Sequence, residues 1–419
     1  MTRPALFLLG IAVLAGGGRP ARAQVAEADS LALVAFYTAT DGPNWDDNAN
    51  WLNGAVASWL GVTVDGDRVA ELALPNNGLD GVIPPELGDL DGLQRLLLFR
   101  NRLGGEIPPE IGALANLEEL ALARNRLSGA IPPALGALAS LVELDLFFNQ
   151  FTGAIPPELG NLANLEVLFL TDNQLTGAIP PELGALTSLQ ILNLARNQLT
   201  GAIPAELGAA FRLRVLDLSF NQLSGALAPE LGRLGQLEIL WLLNNALTGE
   251  IPPEFGDLAS LESLLINRTQ LTGSIPLSFV NLTNLRIFNF LSTTLCEPSD
   301  DAFQTWLQGV SDVTSTGLTC TPTATEDASA TPERFRLDAN YPNPFRRATR
   351  IAYTLPRRSA VHLALYDATG RLVEVLVQAS QPAGRHAVSF EADALPGGVY
   401  FCRLDAGAFR QTRSLLLLR

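Results

Sequence analysis

The sequence predicts a solenoid of stacked short units followed by a small antiparallel β-sandwich, and three observations carry that prediction. An Asn returns every 24 residues, at Asn77, Asn101, Asn125, Asn149, Asn173, Asn197, Asn221 and Asn245, with Thr269 and Thr293 in the same slot of two further copies. Within each copy the leucines alternate as LxxLxL, a strand pattern with one apolar face. Beyond residue 333 the period of 24 disappears and short alternating strands replace it.

The chain of 419 residues is too long for one core, so several units are expected. It opens with Arg3 before the apolar run Ala5–Ala15 and the small-x-small stretch Ala21-Arg22-Ala23, which reads as a secretory signal peptide over residues 1–23. All 28 basic residues are Arg, set against 43 acidic ones for a net charge of −15. Residues 334–419 hold 13 Arg against 6 acids, which leaves a net of −22 on the rest. An acidic body of this kind argues against nucleic acid as partner, since phosphates need cations.

Residues 24–68 form the expected N-terminal cap of the solenoid. Asp29 or Ser30 can start a helix bearing Leu31, Val34 and Phe36 or Tyr37, and Trp45, Trp51 and Trp59 follow to cover the first exposed Leu layer. Residues 69–295 hold ten copies of LxxLxLxxNxLxGxIPxxLGxL. Asn ends each strand, where its amide can bond the turning backbone and the next copy. Gly and Ile-Pro-Pro force an extended return path, and the Gly of ELGAL serves turns. A single copy cannot bury its Leu face, but stacked copies can. Residues 296–320 form the C-terminal cap. Ser299 or Asp300 can cap a helix with Phe303, Trp306, Leu307 and Val310 on its apolar face, flanked by Cys296 and Cys320 as an expected disulfide. Cys402 is left as a buried free thiol on a strand.

The LxGxIP copies resemble leucine-rich repeats of the plant-receptor type from about Val69 to Leu295. The resemblance implies an α/β-type leucine-rich repeat solenoid with a parallel concave sheet that recognises a partner, and no catalysis. The GPNW, NW and W-x-G-V elements resemble the N-terminal cap of bacterial secreted repeat proteins. Residues 321–333 read as a linker of Thr, Ala and Pro. In residues 334–419 the motifs NYPNPF (340–345), YDATGR (366–371) and LPGGVYFCRL (395–404) resemble the type A C-terminal sorting domain of type IX secretion. That resemblance implies contact with the secretion machinery and export to the cell surface, with removal of the tail and attachment to lipopolysaccharide.

Outward positions four, two and one residue before the Asn slot stand free of the core and are the letters able to carry a message. They place Phe99, Asp145, Phe147, Phe148, Phe169, Asn193, Asp217, Phe220 and Trp241 on the concave face as the candidate partner-binding surface. The partner expected there is a protein, a peptide or a glycan. The competing account has these rings packing on one another and binding nothing, with the repeats serving only shape and adhesion. Asp145 and Asp217, two strands apart, supply too few ligands for calcium, and no metal or cofactor is expected. Both His residues, His362 and His386, lie in the tail, and no nucleophile elbow, phosphate loop or HExxH motif occurs, so polysaccharide-active chemistry ranks last.

Overall fold

Each 24-residue copy contributes one short strand to the main sheet, because its Leu pair at LxL needs one buried side and the neighbouring copy supplies the matching edge. A computed structural model describes residues 25–320, 335–337, 340, 343, 345, 348–392, 395–407 and 409–418. The leader over 1–23 and the linker over 321–333 lie outside the described residues. The chain divides into two compact units, 1–320 and 321–419.

In the first unit, β1 (Val62–Asp65) pairs antiparallel with β2 (Arg68–Ala73). Then come β3 (Arg95–Leu97), β4 (Glu119–Ala121), β5 (Glu143–Asp145), β6 (Val167–Phe169), β7 (Ile191–Asn193), β8 (Val215–Asp217), β9 (Ile239–Trp241), β10 (Ser263–Leu265) and β11 (Ile287–Asn289). The cap strand β12 (Asp312–Thr314) closes a twelve-stranded sheet in chain order. From β2 to β12 the pairing is parallel and in register, so Leu144, Leu168, Leu192 and Leu216 stack in one buried row. A second set of short parallel strands, such as Gln198–Gly201 and Gln222–Gly225, lines another side, and 3-10 turns such as Pro181–Ala185 complete each copy. One continuous Leu/Ile core runs from Ala32 to Val310.

The Asn ladder points backward along the chain, not to the next copy. The Asn149 carboxamide oxygen accepts from the Leu127 N–H of the preceding copy at 3.1 Å. Its nitrogen donates to Leu122 O of that copy at 3.0 Å and to Leu146 O of its own at 3.2 Å. Asn77, with no copy before it, clamps the cap instead: it accepts from Asp47 N at 2.7 Å and donates to Asp47 O at 2.7 Å. Thr269 only donates to Ile266 O within its own copy. The Gly of ELGAL is needed for close approach between copies and not for a left-handed turn: a Cβ on Gly184 would lie 2.2 Å from Glu206 O. The left-handed glycine is the one in LxG, Gly177 at φ +79°.

The N-cap helix α1 (Glu27–Ala39) begins after Ala26 without a side-chain cap. Asp29 is drawn inside, fully buried, and holds Arg68 at 2.8 Å and the Val69 N–H at 2.6 Å. That shifts the expected apolar face: Ala32, Leu33, Phe36 and Tyr37 are buried, while Leu31 and Val34 are exposed. Trp45, Trp51 and Trp59 pack with Phe36 and Tyr37 over the first layer. At the other end Asp300 accepts from Phe303 N at 3.0 Å to cap α2 (Asp301–Gly309). Phe303, Leu307 and Val310 are buried, and Cys296 is bonded to Cys320.

The second unit is antiparallel. β13 (Arg336–Leu337), β14 (Ala348–Leu355) and β17 (Gly384–Glu391) form one sheet in the order β13-β14-β17. β15 (Ser359–Tyr366), β16 (Leu372–Gln381), β18 (Gly398–Ala406) and β19 (Phe409–Leu417) form the other, in the order β16-β15-β18-β19. They enclose a core that includes Tyr353, Leu363 and Leu404. Asn343 of NYPNPF donates to Ser414 O and accepts from Leu416 N, tying the start of the tail to its last strand. Asp367 of YDATGR accepts from Thr369 N, Thr369 Oγ1 and Arg371 N, which makes the motif a turn and holds its carboxyl below the usual range. Cys402 is free and buried, and burial pushes its thiol up to about 12, so it is inert.

Candidate concave binding face

The strand pattern LxLxx fixes which side chains leave the core. Leu at the first and third positions points inward, so the residue between them, four before the Asn slot, must point out. Along β2 to β11 that column runs Ala73, Leu97, Ala121, Asp145, Phe169, Asn193, Asp217, Trp241, Leu265 and Asn289. Phe169, Asn193 and Trp241 are half-buried, Asp217 is buried and Asp145 is partly so. In-register pairing sets Asp145 beside Phe169, Phe169 beside Asn193, Asn193 beside Asp217, and Asp217 beside Trp241. Asp145 and Asp217 are therefore three strands apart, not two. At about 4.8 Å per strand their backbones lie about 14 Å apart, out of reach of one ion.

Each polar member of the column is tied down locally. Asp145 accepts from Phe147 N at 3.1 Å, and Asn193 from Ala195 N at 3.1 Å. Asp217 accepts from Ser219 N at 3.0 Å and Ser219 Oγ at 2.6 Å. Burial pushes the carboxyls of Asp145 and Asp217 above the ordinary range, with these hydrogen bonds opposing it. Trp241 is oriented by Nε1 donating to Ser263 Oγ at 3.0 Å.

The rim column, directly before the Asn slot, is left-handed in every copy. Asn76, Arg100, Arg124, Phe148, Asp172, Arg196, Phe220, Asn244, Arg268 and Ser292 all have φ between +48° and +60°. Asn fits that region well, and a bulky ring is an outlier there. The strain at Phe148 and Phe220 goes with a shared arrangement. Phe147 and Phe148 meet edge to face at 5.9 Å, Arg124 lies 5.0 Å from the Phe147 centroid, and Arg196 lies 4.6 Å from that of Phe220. Some of the rings therefore do pack among themselves. Phe148 still remains 53% exposed, an unusual position for a Phe on a water-facing surface. Phe99 is half-buried in the same face, toward the N-terminal end.

One column escaped the sequence reading. Residues six before the Asn slot also reach the concave surface, and the column changes character along the stack. It starts Glu71, Arg95, Glu119, Glu143 and continues Val167, Ile191, Val215, Ile239. Arg95 bridges Glu71 at 2.9 Å and Glu119 at 2.8 Å. The four aliphatic side chains are half-buried, lying against the face without being sealed under it. The available signal was that switch from charge to Val/Ile at one fixed offset.

The second set of short strands presents a different surface. Gln150, Gln174, Gln198, Gln222 and Gln270 are exposed there, as are Thr152, Thr176, Thr200, Thr248 and Thr272. Thr176 lies opposite Gln198, Thr200 opposite Gln222 and Thr248 opposite Gln270, whereas Thr272 lies opposite Thr294.

Comparison with known proteins places these surfaces in context. Leucine Rich Repeat profiles match residues 92–114, 116–138, 140–162, 212–234 and 236–258, and a two-copy profile matches 163–205. The Secretion system C-terminal sorting domain matches residues 339–417. No curated protein matches the chain. Among solved structures, a plant ice-binding protein is 32% identical, with 72% of this chain and 100% of that one covered and a TM-score of 0.59. The ectodomain of the Arabidopsis thaliana receptor kinase GASSHO1/SCHENGEN3, in complex with CASPARIAN STRIP INTEGRITY FACTOR 2, is 35% identical over 64% of this chain and 36% of that one, with a TM-score of 0.57. The Arabidopsis receptor kinase HAESA ectodomain, in complex with an extended IDA peptide hormone ligand, is 30% identical over 64% of this chain and 49% of that one, with a TM-score of 0.53. The chain spans less than half the length of these receptor ectodomains.

Proposed function

Because the chain belongs to the leucine-rich repeat family and ends in a secretion-system C-terminal sorting domain, we propose that it is an exported binding protein whose concave sheet holds a peptide or an extended protein segment. The sorting domain directs type IX secretion to the cell surface or the extracellular space. The observation that carries the binding reading is the non-repeating, partly apolar surface made by Phe147, Phe148, Phe169, Asp217, Phe220 and Trp241 on an otherwise monotonous solenoid. Aromatic anchors beside a few fixed polar groups are the usual composition of a binding hot spot. The HAESA ectodomain, solved with a peptide hormone ligand, adds support by likeness.

Panning a random peptide library on the full-length chain tests the reading. Enriched peptides are expected to lose about tenfold or more in affinity on Trp241→Ala. Peptides that bind Trp241→Ala undiminished, or no enrichment at all, overturn it. The address is tested separately by fusing residues 334–419 to a periplasmic reporter in a host with type IX secretion. Surface display is expected, and a reporter retained in the periplasm refutes it.

A second reading, ice binding, is favoured by the neutral Gln/Thr lattice on the second set of strands together with full-length coverage of the plant ice-binding protein. Purified chain should then slow the coarsening of ice grains, and Thr176→Asp with Thr200→Asp should abolish the effect. Ice growth indifferent to the wild-type chain removes this reading.

A further inference from the structure

We infer that the concave face selects a peptide of defined polarity: a basic residue at the end lying over β4 and β5, followed by apolar residues spread across β6 to β9. The inference rests on the peptide-binding reading above and deepens it. It is carried chiefly by one column that changes character, with a second adding Asp145 at the acidic end and Phe169 and Trp241 to the apolar band, where Asn193 and Asp217 interrupt it. Six before the Asn slot, Glu119 and Glu143 give way to Val167, Ile191, Val215 and Ile239. Four before the slot, Asp145 gives way to Phe169 and, beyond Asn193 and Asp217, to Trp241. The sheet thus has an acidic end that runs directly into an apolar band.

The acidic end is only partly neutralised from within, Arg95 acting on Glu119 and Glu143 and Arg124 on Asp145. Arg95, the cation of that column, is already shared by Glu71 and Glu119. Glu143 sits in register beside Glu119, and its carboxyl is pushed up by burial and by the neighbouring carboxylates Glu119 and Asp145. Arg124, whose charge acts on Asp145, is held over the Phe147 and Phe148 rings. A guanidinium or ammonium from a ligand would relieve this like-charge crowding, whereas a carboxylate would add to it. An apolar ligand side chain has its place one or two strands further on, where Val167, Ile191, Val215 and Ile239 form a row of half-covered aliphatic groups.

The geometry also sets a length. From β4 to β9 there are five strand spacings of about 4.8 Å, or about 24 Å, which an extended chain covers with about seven residues.

The test is to pan a random decapeptide library in parallel on the full-length wild-type chain and on Glu143→Gln/Asp145→Asn, then measure the winners on both. Wild-type winners are expected to carry Arg or Lys at one end and at least two apolar residues within the next six. Their affinity should fall about tenfold on the double variant, as for loss of a desolvated charge partner. Winners from the double variant should keep the apolar residues and lose the basic one. A basic preference that is absent, or that survives unchanged on the double variant, overturns the polarity while leaving the concave reading intact. Enrichment that ignores Trp241→Ala, or no enrichment, overturns both.

Discussion

The concave sheet and the second set of strands are built by the same ten copies at the same period, yet they carry opposite kinds of surface. On the second set the outward letters come closer to repeating: Gln holds one position in five copies, and Thr holds another in five with Ser in two more. On the concave sheet the outward letters do not repeat. One column runs from Glu through Arg to Val and Ile, and its neighbour mixes Asp, Phe, Asn and Trp. Both rest on the same buried Leu rows, so packing does not demand the difference. Positions that packing leaves free and that still vary from copy to copy are the ones proposed to carry recognition. Positions that packing leaves free and that stay uniform make a lattice instead.

That contrast is testable by asking whether interior letters change stability and leave binding intact, while concave letters change binding without a loss of stability. The largest effect is expected from Gly184→Ala. A Cβ would stand 2.2 Å from the Glu206 carbonyl oxygen, and backbone cannot swing aside. A loss of about 3 kcal/mol is expected by denaturant titration, with the binding affinity of the remaining folded protein unchanged. An unaltered midpoint would show that neighbouring copies can separate there after all.

Asn173→Ala comes next. It leaves the buried Phe151 N–H without its acceptor, while Leu146 O and Leu170 O each lose one donor and keep another, from Asn149 and Asn197. A loss of about 2 kcal/mol is expected, mainly from the unmet N–H. Thr269→Ala, which removes one bond within a single copy, should cost clearly less. Equal melting shifts for the two would break the ladder account.

Phe148→Asn should separate the two properties most sharply. The residue is left-handed at φ +55° and exposed, and Asn is at home there. Stability should rise by about 1 kcal/mol as backbone strain is relieved, while ligand affinity falls. A variant that loses stability would mean that the ring is structural.

The smallest effect is one of pH. Burial raises the carboxyl of Asp217 above its value in the unfolded chain, so the folded state binds the proton more tightly. Its contribution to stability is then present at acidic pH and is lost as pH rises through the raised value. Asp217→Asn should stabilise the protein slightly at neutral pH, and the gain should fade as pH falls into the ordinary carboxylate range. A gain that is constant with pH would point to a cause other than ionisation.

Much of this could be read before any coordinates. The period of 24, the Leu rows, the capped helix after Cys296 and the Cys296–Cys320 bond follow from the letters, although only the structure chooses Asp300 over Ser299 as the cap. Other features needed three dimensions. Asn149 has two equally plausible neighbours, and only the stacking shows that it reaches back to Leu127 and Leu122. Leu31 and Val34 fit an apolar helix face on paper, but the pull of Arg68 and Val69 N–H on Asp29 rotates Leu33 inward instead. The column of Val167 and Ile191 was passed over because aliphatic residues beside a Leu row look like core, and only the register shows them facing out. The left-handed rim is invisible in letters as varied as Arg, Phe, Asp and Ser.

The backward reach of the Asn ladder makes the stack directional. Each copy has its strand-end N–H satisfied only when the following copy arrives, as Phe151 N waits for Asn173. A partly formed solenoid therefore always has an unfinished trailing edge and a finished leading one. A chain that emerges from its N-terminus can lock copy by copy behind itself, starting from the cap that Asn77 clamps through Asp47. The ladder is thinnest at the opposite end, where Thr269 and Thr293 replace Asn, and there the Cys296–Cys320 bond holds the last turn shut.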